Sequence, residues 1–127
     1  MDKVLHISGQ DVGFRATALT PRFYRHFFGR DIIADMTALN KAYKKALGSM
    51  GEGASEEDKQ EAQLSATDLE LFENVAYIMA RQYDQGISNT ADEWLDNFDA
   101  FSIYEILPHI LELWNINNAT TAKPKKK

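Results

Sequence analysis

Three histidines, nineteen acidic residues and no cysteine set the chemistry open to this chain of 127 residues. Without cysteine there are no disulfides, no thiolate metal ligands and no Cys nucleophile, which fits a reducing compartment. His6, His26 and His109 fall on three different expected elements, and no pair has the i, i+4 spacing that sets two ligands on one helix face. Acids one turn apart, such as Asp92 and Asp96, could hold a cation or share a proton, but solvated helix charges account for the pattern. Gly48, Gly51 and Gly53 lack the Lys-Ser/Thr ending of a phosphate loop and open onto acids that would repel phosphate. The serines and threonines form no nucleophile elbow and no triad. The expectation is a protein that is not an enzyme and holds no cofactor and no metal.

What the chain has in abundance is contact surface. From Thr67 to Ile116 the apolar residues recur at helical spacing and include Phe72, Val75, Met79, Trp94, Phe98, Phe101, Leu107, Ile110 and Trp114. Such richness without reactive groups suggests a protein that works by being bound. An ordinary helical core is the alternative.

The elements that must position these residues are legible from local signals. Val4 to Ala18 reads as a hairpin within residues 3–18, with Gly9-Gln10-Asp11 as its turn. A lone hairpin is marginal in water, so it must pack on helices, and its open edge would suit joining subunits. Thr20-Pro21 starts a helix over about 20–29, Thr as N-cap and Pro at the first helical position, and Gly29 stops it. A second helix, about 31–47, carries the stripe Ile32, Met36, Leu39, Tyr43 and Leu47. Residues 48–66 are glycine-rich and then acidic, and read as a flexible linker. Thr67–Glu70, Thr90–Glu93 and Ser102–Glu105 each place a hydroxyl three residues before Glu, the capping-box spacing, and open helices over about 67–83, 91–98 and 102–115. Pro108 should kink the last of these or split off its first turn. Residues 119–127 read as a disordered basic tail. The expected fold is a single domain, 1–118, mainly α (α+β): an N-terminal hairpin followed by about five helices.

The 44% hydrophobic fraction suits a globular domain. No apolar run approaches the roughly 18 residues of a membrane span, and MDKVLHIS does not read as a secretory signal. Net charge is −5, but it is polarised. Residues 1–47 carry eight Lys/Arg against four acids, whereas residues 48–122 carry two against fifteen. That asymmetry could orient subunits head to tail or draw a basic partner to the second half. It opposes nucleic-acid binding despite Arg22, Arg25 and Arg30.

The blocks LHISGQDVGFRATALTPRFYRHFFGRDIIADM, DLELFENVAYIMARQYD and EWLDNFDAFSIYEILPHILELW resemble the tail assembly chaperones of long-tailed phages and prophages of Gram-positive bacteria. The resemblance implies a factor of the bacterial host cytoplasm, absent from the finished virion, that coats the tape-measure protein, keeps it soluble and promotes tail-tube assembly. It implies the major tail protein and a frameshifted longer form of the chain as further partners, with Lys125-Lys126-Lys127 marking an A-rich stretch of message. A homo-oligomer is expected, without nucleic acid or membrane. Candidate anchors for client or self-association are Phe27, Phe28, Trp94, Phe98, Phe101, Tyr104 and Trp114, since aromatic rings give the largest contact energy per residue. The rival readings are a permanent small structural protein of the phage tail and an intracellular adaptor unrelated to phage.

Overall fold

The structure, a computed structural model, describes residues 1–48 and 64–121. An antiparallel hairpin, β1 (Asp2–Ile7) and β2 (Gln10–Arg15), is followed by α1 (Thr20–Phe28), α2 (Ile32–Gly48), α3 (Ala66–Tyr83), α4 (Ala91–Leu95) and α5 (Ile103–Thr121). The fold is therefore mainly α with one β-hairpin, as expected.

The hairpin turn differs from expectation. Ile7 pairs with Gln10, so the loop is Ser8-Gly9 alone, and Gln10 and Asp11 belong to β2. Ser8 and Gly9 both take positive φ, 50° and 80°. Two consecutive left-handed residues make the tight turn whose twist matches that of paired strands. Leu5, Ile7, Val12 and Phe14 face the helices, while Asp2, Val4, His6, Asp11, Gly13 and Arg15 lie on the opposite, outer face, where the Tyr83 ring at the end of α3 covers Gly13.

Helix α3 is the axis of the molecule. Residues 75–80 are buried without interruption, the mark of a helix enclosed on all sides. It packs against β2, α1, α2, α4 and α5. Its N-cap is Ser65, not Thr67: Ser65 Oγ accepts from Asp68 N–H at 3.0 Å and Asp68 Oδ2 accepts from Ser65 N–H at 3.1 Å. The box uses Asp in place of Glu, two residues before the one the spacing suggested. Thr90 does cap α4, accepting from Glu93 N–H at 3.1 Å.

Other boundaries moved for identifiable reasons. Thr20 does not cap α1; its hydroxyl is buried and donates to Gln82 Oε1 at 2.7 Å. Gly29 ends α1 in the left-handed conformation, φ 67°, as its type suggested. In α2 the buried stripe closes on Ala46, and Leu47 is exposed. Helix α4 stops at Leu95 because Asn97 Nδ2 takes the carbonyls of Glu93 and Trp94, leaving Phe98 beyond the helix. Helix α5 runs unbroken through Pro108 and on to Thr121. Residues 119–121 are thus helical, and the rest of the expected tail, 122–127, lies outside the described residues. So do residues 49–63 of the expected linker; Gly48 ends α2 and Leu64 packs on the core.

Candidate functional site

Helix α1 presents two aromatic pairs that the sequence ran together. Tyr24 is fully buried and Phe28 half-buried, while Phe23 and Phe27 lie about 100° further round the helix and reach the surface. Leu19, Phe23 and Phe27 recur every four residues and form one apolar wall. Facing it are Arg81 and Gln82 in the last turn of α3 and Gln85 just beyond it, and the groove between them measures about 320 Å³.

Its polar wall is fixed. Arg81 lays its guanidinium over the Phe27 ring, 5.3 Å from the centroid. The same group donates to Ser88 O at 3.1 Å and to Tyr77 Oη at 3.3 Å. Gln82 accepts from Thr20 and donates to Thr17 Oγ1 at 2.5 Å. The apolar wall is braced too, since Phe27 packs edge-on against Tyr77 at 5.6 Å and against Phe23 at 5.7 Å. A groove whose side chains are already held loses little rotamer freedom on binding.

The candidate anchors do not gather in one place. Trp94 is 3% exposed and sits at the centre of the core, with Phe98 and Phe101 both 5.2 Å away and Phe14 edge-on at 6.4 Å. Phe98 and Phe101 are half-buried against it, and Phe101 also packs on Phe72 at 5.3 Å. Trp114 is buried in the same core. Tyr104 is exposed, but its ring lies 5.9 Å from Tyr43, apart from the α1 groove. Phe27 and Tyr104 are thus the candidates with open faces, Phe28, Phe98 and Phe101 have partial ones, and the two tryptophans are interior. Sequence reasoning missed Leu19, Val4 and Ile33 as exposed apolar residues. Leu19 could have been found as the residue one turn before Phe23 on the same face.

The charge polarity of the sequence becomes a polarity of surfaces. Arg22 and Arg25 are exposed on α1, and Lys41, Lys44 and Lys45 on α2. Acids populate the start of α3 and the surroundings of α4, where burial, then Glu70 and Asp92, push the Glu73 carboxyl above its ordinary range. Among the described residues, Lys3–Glu112 is the ion pair joining the basic first part of the chain to the acidic second. The histidines stand on β1, α1 and α5, and among the described residues no group of three or more His, Cys, Asp or Glu is placed to hold a metal. No helix among them is long and apolar enough to cross a membrane.

Comparison with known proteins found no matching family model, no matching curated protein and no matching solved structure.

Proposed function

We propose that this protein is a tail assembly chaperone of a long-tailed phage or prophage, acting by binding and not by catalysis. The observation that carries the reading is the groove between α1 and α3. Its wall of Leu19, Phe23 and Phe27, spaced one turn apart beside a fixed Arg81, suits the apolar stripe of a helix laid alongside. A tape-measure protein is a long, helix-rich chain with repeated apolar faces that would aggregate if left bare. Many copies of a small protein, each holding one such face weakly, protect the chain without fuel, because linked weak contacts reinforce one another. Self-association would set those copies along one client, and the segregation of basic and acidic surfaces could steer it. The chaperone would act in the host cytoplasm, recruit the major tail protein and leave before the virion is complete.

Co-expression with the long helical protein encoded downstream tests the proposal. The expected result is a gain in that protein's solubility and its co-purification with this chain. Leu19→Lys, at a residue 53% exposed, should reduce the rescue while leaving this chain's melting temperature nearly unchanged. Full rescue by Leu19→Lys would remove the groove from the mechanism. No rescue by the wild type, with both proteins well expressed, would end the chaperone reading.

A further inference from the structure

The exposed edge of β1 is built to pair with itself. Met1 and Ala16 exchange both backbone hydrogen bonds, each at 3.0 Å. Along an antiparallel pair such exchanges fall on alternate residues, so Lys3, Leu5 and Ile7 turn their backbone groups inward to β2. Asp2, Val4 and His6 turn theirs outward, and among the described residues no hydrogen bond beyond the hairpin reaches those groups. The edge holds no proline and no bulge, and Val4 at its midpoint is 54% exposed. Asp2, Lys3 and His6 put polar groups on this edge, but they are engaged by Arg15, Glu112 and Asp11 of the same chain, so the six-residue backbone edge stays open to pairing.

We infer that the occupant is β1 of a second copy, paired antiparallel about a two-fold axis through Val4. This register alone lets all three outward-facing residues pair at once: Val4 with Val4, Asp2 with His6 and His6 with Asp2. Each is a pair that exchanges two backbone hydrogen bonds. The side chains agree with the backbone. Within one hairpin, Arg15 binds Asp2 through Nε at 2.8 Å and Nη2 at 3.0 Å, and His6 Nδ1 lies 3.0 Å from Asp11 Oδ1. In the four-stranded sheet, the row across the outer face runs Arg15, Asp2, then His6 and Asp11 of the second copy. Arg15 and His6, which can donate hydrogen bonds, alternate through it with the acceptors Asp2 and Asp11, an arrangement that favours cross-strand neighbours. The middle row is Gly13, Val4, Val4 and Gly13; each Gly13 lies under the Tyr83 ring of its own copy, and the pairing sets the two exposed Val4 side chains against each other. On the inner face Lys3 would lie beside Leu5 of the second copy. Any one-residue shift sets outward backbone groups opposite inward ones, so the register is specified. The interface is isologous and closes as a dimer. It goes beyond the chaperone reading and stands without it.

Because the full chain has no cysteine, single cysteines report the register directly. Under mild oxidation Val4→Cys should form a disulfide dimer rapidly, the two Cα atoms falling within the separation a disulfide spans. Asp2→Cys alone should not. A mixture of Asp2→Cys and His6→Cys should cross-link between the variants in preference to within either one. In sedimentation equilibrium the wild type should show reversible dimerisation, and Val4→Lys, which places two ammonium groups on the axis, should remove it with the circular dichroism unchanged. Equal cross-linking of Val4→Cys and Asp2→Cys would overturn the inference. So would a wild type that stays monomeric at high micromolar concentration, or association that Val4→Lys leaves intact.

Discussion

Asp35 is 4% exposed, yet it is ionised. Its carboxylate accepts from Arg30 Nε and Nη2, both at 2.8 Å, and from Tyr24 Oη at 2.7 Å. The Arg30 guanidinium, aided by the Tyr24 hydroxyl and opposed by burial, holds the carboxyl below its ordinary range. Burial, then Asp35, pushes the Tyr24 phenol upward. The signs are opposite. A lowered carboxyl stabilises the fold above the ordinary value of 3.8 and loses that contribution as pH falls through its folded value. A raised phenol stabilises below the ordinary value of 10.0 and loses its contribution as pH climbs past it. Asp35→Ala should cost about 1–3 kcal/mol at neutral pH, since it leaves the buried Tyr24 hydroxyl without its acceptor. It should also flatten the acid side of the profile, as urea midpoints across pH would record.

Gly13 is a second residue set by its neighbour. A methyl built on it would overlap the Tyr83 ring, which lies over the strand with the Arg15 guanidinium 5.6 Å from its centroid. Gly13→Ala should therefore displace Tyr83 and destabilise by about 1 kcal/mol, since packing is lost while the ring escapes to solvent. In a Tyr83→Ala background the same change should be neutral or stabilising, because Ala suits a strand better than Gly. Additive melting shifts in this double-mutant cycle would contradict the contact.

At the scale of elements, cap chemistry decides where helices begin. Ser65 and Asp68 satisfy each other's backbone N–H groups at the start of α3, whereas Thr67 lies within the first turn and is exposed. Ser65→Ala should cost about 1 kcal/mol, and Thr67→Ala should be close to silent; chemical denaturation of the two variants separates them. The hydroxyl-to-Glu spacing pointed to Thr67 and passed over Ser65, because an Asp three residues on serves as well as a Glu, and Leu64 docks on the core just before Ser65. Pro108 was a similar ambiguity. A missing N–H ends an isolated helix, but Ile106, Leu107 and Ile110 are buried on either side of it, and their packing carries α5 through. Phe98 went the other way: periodicity extended α4 to it, and the Asn97 side chain stopped the helix first.

At the scale of the whole molecule, one chain of aromatic rings runs from the surface to the centre: Phe23, Phe27, Tyr77, Trp94 and Phe101. Its interior members hold the fold and its outer members are free to touch a partner. Trp94→Ala should cost about 3–5 kcal/mol, as large core truncations do, and lower the urea midpoint whether or not a client is present. Leu19→Lys should show the reverse pattern, a binding defect without a stability defect. A similar loss from both substitutions would mean that core and surface act as one unit.

The order of elements, the fold class and the spacing of apolar residues were settled by the sequence, because hydrophobic period, turn residues and caps act over a few neighbouring positions. Which rings turn inward was not. Trp94 and Phe27 are equally aromatic and equally periodic, and only the placement of α3 between β2, α1, α2, α4 and α5 encloses the one and leaves the other at the rim. Burial is a property of what comes to lie against a residue from distant parts of the chain, and no local pattern encodes that.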